Sequence, residues 1–314
     1  MNFEEYLPLG NSSLTILPLG VGTWQWGDRM MWNYSKSHTI ADVQEAFRVS
    51  WEAGIRFFDT AEVYGSGLSE RLLGRFIKET SGNAVIATKF MPLPWRAGRR
   101  AMRTALKNSL QRLEMDCVDL YQMHWPFPPV SIEARMDSMA DLVDAGLTKA
   151  VGVSNYNVAQ TKRAYMALKK RNIPLASNQV EYSLLNRNAE RSGLLRLCQE
   201  IGISIIAYSP LAKGALTGKY TPDHLPSGLR SRTYNRALFT KIQPLIKLMR
   251  EIGLAHDGKT PAQVALNWAI CKKVIVIPGA KNGQQASENL GALGWRLSAS
   301  EVAALDQSSD GVMV

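Results

Sequence analysis

Residues 54–65 read GIRFFDTAEVYG. Gly54 can end a preceding helix, a short apolar run follows, and the run stops on a carboxylate, Asp59. A phenol, Tyr64, stands five residues later. A brief apolar run bounded by turn signals describes a buried strand, and this one ends in a charge. The same grammar recurs downstream. AVIATKF, residues 84–90, carries Lys89 near its end, and VDLYQMHWP, residues 118–126, carries His124. Helical stretches lie between. Polar residues at the carboxyl ends of successive parallel strands converge on one mouth in a barrel of alternating strands and helices. An acid, a phenol, an amine and an imidazole gathered there form a proton-transfer set.

Outward from that segment the alternation holds along the chain. Leu9-Gly10 and residues 13–17 predict a hairpin that plugs the barrel bottom. Strands are expected at 19–22, 55–59, 84–89, 118–123, 150–153, 175–180, 204–207 and 274–277. Helices are expected at 39–53, 69–78, 101–113, 132–145, 158–171, 190–201, 261–271 and 284–290. Ser69 is expected to cap its helix, with Glu70 at the positive helix N-terminus. Ile- and Val-rich strands separated by helices argue for a parallel sheet, and eight such units for closure. The fold class is therefore α/β: a single (β/α)8 TIM barrel over residues 1–314, with an N-terminal hairpin and an extra C-terminal helix at 300–309 capped by Ser300. Residues 217–236 are long, polar and Pro/Gly-bearing, and follow the seventh strand, so they should overhang the mouth.

Composition narrows the function classes. The chain has 314 residues, 46% of them hydrophobic, enough for a large core. No apolar run reaches the roughly 18 residues of a membrane span. The opening MNFEEYLPLG has neither a signal core nor a basic leader. A cytoplasmic protein is expected, or a plastid stromal one if a leader has been removed. The three cysteines, Cys117, Cys198 and Cys271, are widely spaced and read as core thiols without metal-ligand spacing. The net charge of +10 gathers at Arg96, Arg99, Arg100 and Arg103, at Lys169, Lys170 and Arg171, and at Arg230, Arg232 and Arg236. No nucleic-acid module accompanies it. Solvated helix faces, and a positive field toward a phosphorylated cofactor, account for it.

Six segments in order resemble the aldo-keto reductase superfamily, in its bacterial and plastid branches. They are GIRFFDTAEVYGSGLSERLLG (54–74), VDLYQMHWP (118–126), GVSNYN (152–157), NQVEYSLLNR (178–187), AYSPLAKGALTGKY (207–220) and IPGAKNGQQASENLGAL (277–293). The resemblance covers nearly the whole chain. It implies reduction of aldehydes and ketones to alcohols by a nicotinamide cofactor. Tyr64 would be the general acid, its pKa lowered by Lys89 from the usual value of about 10. Asp59 would hold Lys89 charged, and His124 would orient the carbonyl and stabilise the developing oxyanion.

The resemblance also implies a cofactor site without a dinucleotide-binding βαβ fold. Gly22 and Thr23 would flank the nicotinamide ribose. Ser154, Asn155 and Gln179 would bind the carboxamide, and Tyr208 would stack on the ring. Ser209, Leu211 and Lys213 lie in the loop that crosses the pyrophosphate. Glu288 and Asn289 match the residues that hold adenine. Where many family members carry Lys and Arg, this chain has Gly279 and Gln285. Lys281 and Asn282 lie between them, in an arrangement like that of several NADPH-using branches, so NADPH is expected over NADH. Five indoles, Trp24, Trp26, Trp32, Trp95 and Trp125, fall near strand ends. Trp24 and Trp125 lead as the lining for a small carbonyl substrate. The short C-terminal stretch implies an open, tolerant pocket. A monomer is expected, with no nucleic-acid or membrane partner and no metal. Other classes remain open: a redox-sensing module like the potassium-channel β-subunits, with little turnover, or a Schiff-base lyase using Lys89. A pyridoxal-specific reductase is a sub-case of the main reading.

Overall fold

The computed structural model describes residues 5–226 and 234–312. Eight strands form the barrel: β3 (Val21–Gly22), β4 (Phe57–Asp59), β5 (Val85–Phe90), β6 (Val118–Met123), β7 (Thr148–Ser154), β8 (Leu175–Glu181), β9 (Ser204–Tyr208) and β10 (Ile275–Val276). Each pairs in parallel with its neighbour in chain order. Parallel bridges from Leu19 to Val276 and from Gly22 to Gly279 join the first strand to the last. The sheet therefore closes, and the expected (β/α)8 barrel is what the chain forms.

Side-chain alternation builds the lumen in layers. Phe57, Ala87 and Leu120 make an apolar layer with Ala150, Ala176, Ile206 and Ile275. Two residues on, Asp59, Lys89 and Gln122 make a polar layer hydrogen-bonded within itself. The antiparallel hairpin of β1 (Leu7–Pro8) and β2 (Thr15–Ile16) stoppers the bottom, with Leu9, Leu14 and Ile16 packed on the apolar layer. Gly10 is required there. Its φ is +57°, and a Cβ would overlap the Ala176 carbonyl.

Outside the strands, amphipathic helices bury one face each. Helix Ile40–Glu52 buries Val43, Ala46, Phe47, Ser50 and Trp51, at the spacing of a core-facing stripe. Among the described residues, no helix is long and apolar enough to cross a membrane.

Three expectations are corrected. The second helix begins at Leu68, after Gly67 at φ +88°, so Ser69 lies inside its first turn and does not cap it. The Ser69 hydroxyl instead donates to Thr23 O and accepts from Thr60 Oγ1, both at 3.0 Å. The last helix, Ala299–Asp310, is capped by Ser298 rather than Ser300: Ser298 and Glu301 exchange hydrogen bonds in a capping box. The helix expected at 190–201 is two pieces, Asn188–Arg191 and Leu194–Glu200, broken at Gly193 (φ +78°). A twenty-residue helix, Arg236–Ala255, stands outside the expected strand–helix repeat. Residues 227–233, with Arg230 and Arg232, lie outside the described residues.

Candidate active site

The polar layer of the lumen opens upward into a cleft of about 780 Å³. At its floor the Lys89 ammonium is fully buried and sits between three oxygens. It donates to Asp59 Oδ1, to Thr60 O at 2.8 Å and to Tyr64 Oη at 3.3 Å. Asp59 Oδ2 accepts from Gln122 Nε2 at 3.0 Å and Gln179 Nε2 at 2.7 Å. The carboxylate is thus held by donors from three strands and cannot turn away from the lysine. Gln122 was missed in the sequence, although it stands two residues before His124 and so on the same face of β6.

The loops that carry the other two groups are also fixed. The Tyr64 ring meets the His124 ring edge-on, centroids 6.0 Å apart, and stacks on Trp24 at 6.2 Å. Glu62 ties the loop after β4 to the loop after β5: it accepts from Met91 N at 2.7 Å and from Arg96 at 2.6 and 2.9 Å. Buried Arg135 reaches up from the helix below and donates to the carbonyls of Trp125 and Phe127. It braces the loop that follows His124.

Burial decides the protonation states of Tyr64 and His124, and neighbouring groups decide that of Lys89. Desolvation raises the Tyr64 pKa above its ordinary 10, against the opposing effect of Lys89 and with a smaller upward push from Asp59. The lowering expected from Lys89 is therefore present as a contribution but is outweighed, and Tyr64 is a protonated phenol at neutral pH. Desolvation also works against the Lys89 ammonium, but Asp59 and Tyr64 together carry its pKa above the ordinary value. His124 is pulled down to about 3, first by burial and then by the Lys89 charge, so its ring is neutral.

A histidine held neutral in the fold and titrating near 6.5 when unfolded binds fewer protons in the folded state below pH 6.5. Its contribution to stability is complete above pH 6.5 and drains away as the pH falls toward 3. Urea denaturation of His124→Gln is expected to show a shallower loss of stability between pH 6.5 and 4 than the parent chain. Parallel pH profiles for the two would contradict it.

The cleft wall gathers the other residues expected there. Gly22, Thr23 and Trp24 line it from the end of β3 and its loop, and Ser154, Asn155 and Gln179 from the end of β7 and from β8. Tyr208, Ser209, Leu211 and Lys213 follow from β9 and its loop, and Gly279, Lys281, Asn282, Gln285, Glu288 and Asn289 from the segment after β10. Trp125 lines it too. Lys89 lies behind the wall. Lys219 and Thr217 border the cleft, so the described start of the 217–236 segment does reach the mouth. Trp32 lines the cleft, whereas Trp26 does not: it is fully buried and donates to Ala280 O at 2.9 Å. Trp95 is 78% exposed and away from the lining.

Local backbone is unusual along this wall. Asn155, Ser209 and Lys213 have φ of +63°, +50° and +53°, a left-handed conformation that costs free energy in a residue with a side chain. Asn155 is held by Tyr208 Oη on its Oδ1 at 3.0 Å and donates to His124 O at 3.1 Å. His124 Nδ1 and Gln25 Oε1 are buried without a protein partner and belong to residues on the cleft wall. Asn282 accepts from Gln285 N at 3.0 Å and caps helix Gly283–Leu290.

Comparison with known proteins agrees with this architecture. The Aldo/keto reductase family matches residues 18–310. The chain is 41% identical over 309 residues to the chloroplastic pyridoxal reductase of Arabidopsis thaliana, covering 94% of this chain and 84% of that one. A thermostable aldo-keto reductase solved with the inhibitor epalrestat superposes with a TM-score of 0.80 at 32% identity, covering 97% of this chain and 99% of that one. An aldo/keto reductase from Klebsiella pneumoniae, solved with NADP and acetate, gives 0.75 at 30% identity, covering 96% and 94%. With a closed eight-stranded barrel, a polar layer at its rim and a match over almost its entire length, this chain belongs to the aldo/keto reductase family, a family of carbonyl oxidoreductases.

Proposed function

We propose that the protein reduces aldehydes to alcohols with NADPH, Tyr64 serving as the proton donor. The observation that carries this is the Lys89 ammonium lodged between Asp59 and the Tyr64 hydroxyl at the floor of a long cleft. The cleft suits an extended dinucleotide. Its volume lies within the range of ligand sites, and unpartnered His124 Nδ1 and Gln25 Oε1 offer polar atoms for a bound molecule to satisfy. Ser154, Asn155 and Gln179 would hold the carboxamide, and Tyr208 would cover one face of the ring. Ser209, Leu211 and Lys213 would embrace the pyrophosphate, Lys281 and Asn282 the 2′-phosphate, and Glu288 and Asn289 the adenine. The Klebsiella relative was solved with NADP, which favours the phosphorylated cofactor.

The hydride for the new C–H bond would come from NADPH held by these residues. Tyr64 gives its proton to the carbonyl oxygen as the C=O π bond breaks. The forming phenolate lies against the Lys89 ammonium, which offsets the cost of buried negative charge. Asp59 keeps that ammonium charged and aimed. Neutral His124 directs a ring N–H at the carbonyl oxygen and does not compete for the proton. Trp24 and Trp125 would form the apolar walls for the aldehyde. The phenol is restored from solvent.

A panel of aldehydes and ketones, with pyridoxal included because the plant relative is named for it, tests this directly. Loss of NADPH absorbance with small or aromatic aldehydes is the expected result. Tight NADPH binding with no turnover on any member would favour a cofactor-sensing module instead.

A further inference from the structure

The loop after β3 and the segment after β10 are joined across the top of the barrel. Trp26 Nε1 donates to Ala280 O, and the Gln25 side chain occupies the space a Cβ at Gly279 would need. Lys281 Nζ donates to the Trp32 carbonyl at 3.1 Å and reaches Ser37 Oγ at 3.4 Å, and it stands 5.2 Å from the centre of the Trp32 ring. His38 fastens the loop to itself, Nε2 to Gln25 O at 2.8 Å and Nδ1 to Ser37 Oγ at 2.9 Å. Two cleft-lining indoles ride on this loop. Trp32 meets Trp24 edge-on at 5.6 Å, and Trp24 stacks on Tyr64 at 6.2 Å. One line of contacts therefore runs from Lys281 through Trp32 and Trp24 to the Tyr64 phenol.

We propose that Lys281 is a positioning residue for the aldehyde pocket: by clasping the Trp32 backbone it sets the Trp32–Trp24 wall against Tyr64. The proposal rests on the reduction reading above and gives the lysine a second task besides the 2′-phosphate. The segment from Trp24 to His38 contains no helix or extended strand among its described residues. Turn hydrogen bonds and Asp28, which accepts from Trp24 Nε1, Met31 N and Trp32 N, shape it locally, while Lys281 and Trp26 tie it to the segment after β10. The wall would touch the aldehyde before and during the reaction alike, so loosening it should weaken binding more than chemistry. The link to Trp26 and the His38 contacts survive loss of Lys281, so the barrel should stay folded.

The two nicotinamide donors separate the two tasks. NADH has no 2′-phosphate, so a lysine serving that phosphate alone would be silent when NADH is saturating. Lys281→Met is expected to raise the NADH-linked KM for aldehyde about fivefold or more, a larger effect than on kcat. Lys281→Arg keeps a cation able to donate to the carbonyl and should return KM to within about twofold of the parent. A second measurement needs neither cofactor nor turnover. Amide hydrogen exchange in residues 28–38 is expected to quicken about tenfold in Lys281→Met, less in Ser37→Ala, and not in Lys281→Arg. An NADH-linked KM unchanged by Lys281→Met overturns the proposal, and so does unchanged exchange. If the parent turns over no aldehyde, the reduction reading fails by itself, and the exchange comparison alone decides whether the clasp exists.

Discussion

Tyr64→Phe is expected to lower kcat for aldehyde reduction about a thousandfold or more, within the range set by loss of a positioned general acid, while the NADPH dissociation constant stays within about twofold. The ring contacts explain the second half. Phenylalanine keeps the stack on Trp24 and the edge contact with His124, so the cleft retains its shape. The first half follows from the lack of a substitute. His124 titrates near 3 and is neutral, which leaves it an N–H donor but a very weak acid. Lys89 is fully buried and committed to Asp59, with its pKa raised. Giving up its proton would strand the Asp59 carboxylate in the barrel. Water admitted where the hydroxyl stood would lack the neighbouring ammonium's fixed geometry. Single-turnover measurements at saturating cofactor separate chemistry from binding. Retention of more than about a tenth of the parental rate would remove Tyr64 as the acid.

The sequence reveals the barrel because a strand ending in a charge is a rare pattern and here it repeats. Asp59, Lys89 and His124 each close a short apolar run, and chain order alone places them at one rim. What it hides depends on three-dimensional balance. That Lys89 favours the Tyr64 phenolate is legible from the charges; that desolvation outweighs it is not, because the depth of the lumen appears in no single segment. Trp26 and Trp32 are the same residue type six apart in one loop, yet one packs beneath it and the other faces the cleft. The serines at 69 and 300 show the limit of reading caps. A helix that starts one residue earlier, after a left-handed Gly67, or one that takes its cap from Ser298, moves the hydroxyl to a different task. Helix Arg236–Ala255 was readable in principle: Phe239, Ile242, Leu245, Ile246, Met249 and Ile252 repeat at helical spacing. Pro244 obscures it, being a helix breaker in most interior positions, and the preceding polar stretch invites a loop.

Lys89→Met should separate stability from catalysis when it is combined with Asp59→Asn. The single change leaves Asp59 buried, with Gln122 and Gln179 still donating to Oδ2 but no cation opposite Oδ1. Removing one partner of a buried ion pair typically costs about 3–5 kcal/mol. The stranded carboxylate can relieve this by taking up a proton. Denaturation of Lys89→Met should therefore show a stability deficit that narrows as the pH falls, since acid neutralises the charge that causes it. In the double variant no charge is left in the lumen. The asparagine amide can accept from the two glutamines, and the methionine fills most of the lysine stem's volume. Replacing a buried pair by neutral groups of similar size is often close to neutral in stability, so the double variant should recover most of the loss. Its turnover should not recover. Tyr64 would then have to form a phenolate in a buried site whose desolvation already raises its pKa, with the Lys89 cation that opposes this removed. Both variants are expected to fall by about a hundredfold or more in kcat. A double variant that regains stability and activity together would mean that the ion pair serves folding alone. A single variant as stable as the parent at neutral pH would mean that the lumen tolerates the lone carboxylate, and the argument for a tightly coupled Asp59–Lys89–Tyr64 unit would fail with it.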